Sequence, residues 1–192
     1  VKNIVFIYVE LGETENAINA VKQARVDLPN DMNLILTEAN LYLKLNDKEN
    51  FKLLMEEAIK KDPTNPSLFY NLGVISAQQG DADAARKYYA KSLELKPEDI
   101  NTNFNLAALI LQGETTLVEK MNALGTSAVD NKKYDALQEE RSQIYKEAKP
   151  YLEKILSIDS KNESAAKTLK GIYSVLGDTA KFKQMKALIE SL

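Results

Sequence analysis

Three prolines, Pro29, Pro63 and Pro97, recur at intervals of 34 residues, and each closes a similar phrase: "AVKQARVDLP", "LLMEEAIKKDP" and "YYAKSLELKP". A fixed period of this length means that one supersecondary unit is used repeatedly. Proline stops a helix by steric restriction of the residue before it. The expected unit is therefore a helical hairpin, which cannot bury its apolar face alone and must stack on its neighbours. A chain built this way works by surface and shape.

The best-formed unit, Pro66 to Asp99, reads "PSLFYNLGVISAQQGDADAARKYYAKSLELKPED". It closely resembles the tetratricopeptide repeat, carried by Phe69, Leu72, Gly73, Ala85, Tyr89 and Pro97. Ser76 stands where the family prefers Tyr, and Ser92 where it prefers Ala. One period earlier, Ala39, Tyr42, Met55, Ala58 and Pro63 fit the register, while Phe51 occupies a place usually held by a small residue and is expected to wedge its two helices apart. Earlier still, Val1, Tyr8, Gly12, Ala17, Ala24 and Pro29 fall in place. The chain opens inside a repeat without a starting Met, so it is expected to be a piece of a longer or processed protein.

Beyond Ile100 the first helix again fits, with Leu106, Ala107 and Ile110. The register then breaks near Gly113 and resumes at Ala148, Leu152 and Ile155, with Ser160 in the place of proline. A last unit starts near Glu163 and carries Tyr173, Gly177 and Asp178. The resemblance thus implies an all-α fold, a right-handed superhelical solenoid of antiparallel helix pairs. About five units are expected, the first truncated: 1–31, 32–65, 66–99, 100–162 with an insertion at 114–142, and 163–192, forming one array.

The physical logic is visible in the residues. Small side chains at Ala17, Ala24, Gly73 and Ala85 let paired helices approach closely, and Tyr8, Leu72 and Tyr89 fill the space left open. Gly12, Gly80 and Gly177 suit the left-handed position that ends a helix. Asp81 and Asp178 follow as N-caps. Asp62 and Asn65 flank Pro63 as turn and cap residues.

The insertion keeps helical spacing on both arms. Leu117, Val118, Met121 and Leu124 form one stripe, Tyr134, Leu137, Ile144 and Tyr145 the other, with a turn at Gly125, Thr126 and Ser127. Both helices of the fourth unit are expected to lengthen into a projecting antiparallel hairpin, with Pro150 inside the second at a cost of about 3 kcal/mol or a bend. Such an arm offers a surface to a partner or to a second copy, or folds on itself alone.

The chain has no Cys, no His and no Trp. Disulfides, thiol nucleophiles and imidazole bases are excluded, and with them most zinc sites. The pairs Glu56–Glu57 and Glu139–Glu140 are adjacent on helices and diverge, so neither is a dyad. "QQGDADAA" and "LGDTAK" lack the pattern of a phosphate-binding loop. A net charge of −3, from 25 basic and 28 acidic residues intermixed, reads as a solvated surface rather than a nucleic-acid stripe. No apolar run approaches the length of a membrane span. No enzyme activity, cofactor or metal is expected.

What the resemblance adds is a concave face formed by the first helix of each unit. Carried over, it comprises Phe6, Val9, Leu36, Asn40, Leu43, Tyr70, Val74, Ala77, Phe104, Ala108 and Leu111, with Asn3, Asn71 and Asn105 recurring at one position. An apolar floor edged by amides suits an extended peptide or a partner helix. Structural packing of the same residues is the competing reading. The carboxylate clamp that some members use for chaperone tails needs two asparagines, which this chain has at Asn40 and Asn71, and three cations, where it has Leu36, Asn101 and Asn105. That ligand is excluded. The expected function is a protein-interaction scaffold; the alternative is a positioning or assembly module of a larger enzyme or secretion machine. The overall sequence, including the "AKPYLEKILSID" return, is similar to exported repeat proteins of Bacteroidetes-type bacteria, which implies export, and a cytoplasmic setting stays open.

Overall fold

A computed structural model describes residues 2–192, with side chains described from Ile4 onward; the readings at Val1 and Asn3 lie outside the described residues. Eleven helices account for nearly all of it, and no strand occurs among the described residues. Two compact units divide the chain, Val1–Leu95 and Lys96–Leu192.

The first unit contains α1 (Lys2–Glu10), α2 (Thr14–Asp27), α3 (Met32–Lys44), α4 (Lys48–Lys61), α5 (Pro66–Gln78) and α6 (Ala82–Leu95). Each packs on the next in sequence. Ala17, Ile18, Val21 and Ala24 of α2 meet Val5 of α1 and Leu34 and Leu41 of α3. Ile35 and Ala39 of α3 join Phe51, Met55 and Ala58 of α4 and Leu68, Leu72 and Ile75 of α5 in a second layer. Phe51, in the place of a small residue, is fully absorbed at 2% exposure. Burying such a side chain contributes about 1.5–3 kcal/mol.

Small residues do the expected work. A Cβ added at Gly73 would lie 2.6 Å from both Cδ1 and Cε1 of Tyr89, so the glycine is what admits that ring between α5 and α6. Ser92, which replaces a family Ala, is buried and its hydroxyl donates to the Pro66 carbonyl at 3.0 Å.

Four first helices end alike. The amides of Glu13, Asp47, Asp81 and Asp178 donate to the carbonyls of Tyr8, Tyr42, Ser76 and Tyr173 at 2.8–2.9 Å, closing a Schellman turn. The left-handed residue in these turns is Gly12, Gly80 or Gly177 and, in the second repeat, Asn46 at φ 57°. Asp47, Asp81 and Asp178 then accept from the amides of Asn50, Ala84 and Lys181 at 3.0 Å. Asn65 caps α5 through the Ser67 amide at 3.1 Å.

The second unit contains α7 (Ile100–Leu111), α8 (Gly113–Asn122), α9 (Ala128–Ile158), α10 (Glu163–Val175) and α11 (Thr179–Glu190). The 34-residue period puts Glu114 where the earlier repeats hold Gly12, Asn46 and Gly80. A glutamate does not take the left-handed conformation readily. The backbone instead stays right-handed through Gln112, at φ −57° and ψ −31°, and runs into α8. The return helix α9 is correspondingly long, 31 residues with Pro150 inside it. It packs on α8 near its start and on α7 and α10 farther along. Leu117, Met121 and Tyr145 are buried along this hairpin, while Tyr134 stays 47% exposed.

Candidate interaction surface

The side chains expected on the concave face stand on α1, α3, α5 and α7. None is buried. Phe6 is 64% exposed, Leu43 39% and Phe104 37%. Asn40 and Ala108 are also exposed, and Val9, Leu36, Tyr70, Asn71, Val74, Ala77, Asn105 and Leu111 are half-buried. Their helical neighbours Ala39, Leu41, Leu72, Leu106 and Ala107 supply the core instead. The division follows helical periodicity, one stripe inward and one left accessible.

Within the first unit, Phe6 and Val9 line a cavity of about 420 Å³ with Val5, Val21, Asn33, Leu34 and Thr37. Leu36, Asn40 and Leu43 do not line it. Asn33, Leu34 and Thr37 escaped the sequence reading; Thr37 takes the place held by Asn71 and Asn105 in later repeats. Tyr70 sits against Tyr89, ring centroids 6.1 Å apart and tilted by 45°. Part of its surface is thus committed to its own helix pair. Asn103, on α7, has a plain structural role: it is buried and donates to the carbonyls of Pro97 and Asp99 at 3.0 and 2.9 Å.

Charged groups gather elsewhere, in three networks. In the first unit Arg25 of α2 contacts Glu38 of α3 at 2.5 Å and Glu57 of α4 at 2.6 Å. Glu38 is only 4% exposed, so the intermixed charges are not all solvated surface as the composition implied. Burial works against the Arg25 charge, but the two carboxylates more than offset it and raise its pKa. In the second unit Arg141 donates to Glu114 at 2.6 Å, and the Tyr145 hydroxyl donates to the same carboxylate. Burial and that acceptor push the Tyr145 pKa up to about 12. Glu153 of α9 accepts from Tyr173 of α10 and Lys181 of α11, both at 2.7 Å. Burial raises the Glu153 carboxyl, yet those two hydrogen bonds outweigh it and hold the group below the usual carboxylate range.

These shifts fix each group in its ordinary charge state at neutral pH, the opposite of the poising that acid–base chemistry needs. Glu57 is tied to Arg25, and Glu139 lies 3.5 Å from Lys146, so one member of each adjacent carboxylate pair is held by a cation. Among the described residues no group of His, Cys, Asp and Glu is arranged to hold a metal ion, and no helix is long and apolar enough to cross a membrane.

Residues 36–100 match the sequence model of the tetratricopeptide repeat family. A 54-residue stretch is 37% identical to the photosystem I assembly protein Ycf3 of Acaryochloris marina, covering 28% of this chain and 32% of that protein. A 99-residue stretch is 29% identical to the TPR repeat-containing protein MJ1428 of Methanocaldococcus jannaschii, covering 49% of this chain and 17% of that one. The chain therefore spans less than a third of the length of either relative. Among solved structures, MamA aligns over 98% of this chain and 89% of its own with a TM-score of 0.65 at 17% identity. YrrB, described as a TPR protein with an unusual peptide-binding site, aligns over 97% and 81% with a TM-score of 0.62 at 17% identity. PilF of Pseudomonas aeruginosa aligns over 98% and 73% with a TM-score of 0.62 at the same identity. The stretch 36–100 is thus tetratricopeptide-repeat sequence, and the helical-hairpin fold of the chain is that of tetratricopeptide-repeat proteins.

Proposed function

We propose that this chain is a non-catalytic protein-interaction scaffold that binds a peptide or partner helix on the accessible faces of its first helices. The observation that carries the reading is the cavity between α1 and α3, of about 420 Å³, where Phe6 and Val9 meet Asn33 and Thr37. It offers apolar area for affinity and amide or hydroxyl groups for orientation, the combination that peptide grooves use. Tyr70, Asn71 and Val74 on α5, and Phe104, Asn105, Ala108 and Leu111 on α7, extend the accessible stripe within their own units. None of these is charged, so affinity should depend weakly on salt.

Peptides selected from a displayed random library on the intact chain provide the test, with affinities read by fluorescence anisotropy. Phe6→Ala with Val9→Ala, and separately Tyr70→Ala with Phe104→Ala, should each weaken binding by several-fold to a hundredfold at unchanged helicity, as truncated anchors commonly do. Selected peptides that bind all variants like the parent, or that dissociate fully in moderate salt, would refute the assignment.

The similarity to an assembly protein favours a second reading, a positioning module within a larger assembly. Its mark would be a stable co-purifying complex that survives both double substitutions. Export to the periplasm belongs to this second reading and rests on the resemblance of the overall sequence alone.

A further inference from the structure

The distal hairpin carries an apolar slot on one flank. Ala123 and Leu124 at the end of α8 and Ala136 and Leu137 on α9 form its floor, Lys120 and Lys133 its edges, and its volume is about 430 Å³. Val129 continues the same flank toward the tip and is 63% exposed. Along α9 the flank reads Val129, Lys133, Ala136, Glu140 and Ile144, steps of four, three, four and four residues that keep one face of a helix. Val129, Lys133, Ala136 and Glu140 are exposed and Ile144 is half-buried. On this face Asp130 lies one turn before Lys133, where it accepts from the Ser127 hydroxyl at 2.8 Å, and Glu140 lies two turns beyond. Among the described residues no ion pair takes up Lys133 or Glu140, although neighbouring Glu139 and Arg141 are both paired.

This pattern is self-complementary when reversed. Two antiparallel copies of α9, related by a two-fold axis passing between Ala136 and Leu137, place Lys133 of one copy against Glu140 of the other, twice. The same operation sets Ala136 against Leu137 and Val129 against Ile144. Opposite charges then flank an apolar centre, as an isologous interface requires. We infer that the α8–α9 hairpin is a dimerisation surface and that its occupant is a second copy of this chain. An acidic peptide would satisfy Lys120 and Lys133 but leave Glu140 facing like charge, whereas a second copy satisfies both signs. The contact is one hairpin flank wide and belongs with small, transient interfaces. Its dissociation constant is accordingly expected between about 1 µM and 1 mM.

Sedimentation equilibrium on the full chain over that concentration range tests the idea. The parent should pass from monomer to dimer. Lys133→Glu gives every copy two carboxylates on the flank and Glu140→Lys gives every copy two ammonium groups. Each alone should weaken self-association by roughly tenfold or more, since like charges then face each other. An equimolar mixture of the two variants restores both opposite-charge contacts and should form heterodimers with nearly parental affinity. Both positions of charge change are exposed, so folding is preserved, as circular dichroism will show. A parent that stays monomeric throughout, a dimer indifferent to both reversals, or a mixture no better than its components each overturns the proposal.

Discussion

Gly73 and Gly171 both lie inside helices, and replacing each by alanine should move stability in opposite directions. Alanine in a helix interior is favoured over glycine by about 1 kcal/mol from backbone entropy alone. At Gly171 nothing lies within 4 Å of an added Cβ, so Gly171→Ala should show that gain undiminished. In a chain of this size it corresponds to a rise of about 2–4 °C in Tm. At Gly73 the added methyl would lie 2.6 Å from two carbons of the Tyr89 ring. Ordinary carbon–carbon contact is about 3.5–4.0 Å, so the ring must retreat by roughly an ångström. Tyr89 is 2% exposed and backed by Tyr70, which leaves it no open space to enter. Overpacking of this kind costs about 1–3 kcal/mol, which cancels or exceeds the helical gain. The two substitutions should therefore differ by about 1–3 kcal/mol in urea unfolding followed by circular dichroism. Tyr89→Leu in the Gly73→Ala background should recover part of the loss through a favourable coupling. If Gly73→Ala stabilises as much as Gly171→Ala, the close approach of α5 and α6 is not what the glycine serves.

Other outcomes follow from the polar networks and the arm. Glu38→Ala strips one partner from half-buried Arg25 but leaves Glu57, and should cost about 2–3 kcal/mol in the same unfolding assay. On the acid side, hydrogen bonds from Asn50 lower the Asp47 carboxyl, and burial at Asp99 is outweighed by hydrogen bonds from the Thr102 side chain and amide and by Lys96. Groups depressed in the folded state stabilise above their unfolded values of about 4, so Tm should fall as pH drops below about 4, and less so in Asp99→Asn. On the alkaline side, Tyr145 is raised in the fold to about 12. Its contribution is complete below the unfolded value of about 10 and is lost as pH rises from there. With no His in the chain, Tm should be flat between these limits. Deleting 115–143 and closing the gap with a short turn should leave a cooperatively unfolding helical protein by thermal circular dichroism, because α7 still packs on the remaining part of α9.

The units were legible wherever a residue type has one physical use. Pro29, Pro63 and Pro97 follow the ends of α2, α4 and α6 by two residues, and Gly12, Gly80 and Gly177 occupy left-handed turns because nothing else fits them so cheaply. Asn46 does the same work, but asparagine has too many other uses to announce it. The long arm was legible as spacing, while its cause, Glu114 in a place that wanted glycine, appears only when the turns are compared. The Arg25 network stayed hidden because its members are 13 and 32 residues apart and their types are those of any solvated surface. Phe6 and Val9 were reached through the resemblance, which assigns their positions to the concave face of a first helix. Asn33 and Thr37 were not, since a cavity between α1 and α3 depends on how two helices separate, which no single helix encodes.

The way α8 and α9 close on each other also bears on the order in which the chain assembles. In the other hairpins a turn of a few residues brings two helices together directly. Here α7 must find the later half of α9 across the whole intervening arm. Loop-closure entropy rises only slowly with length, about 0.6 kcal/mol per doubling, but an unformed arm is several doublings longer than a tight turn. Folding the arm first removes that penalty, because zipping from the Ser127 turn carries Tyr145 and Ala148 to their neighbours one turn at a time. The arm is thereby expected to be an early element of the second unit, and substitutions at Leu117 or Met121 to slow folding more than they speed unfolding.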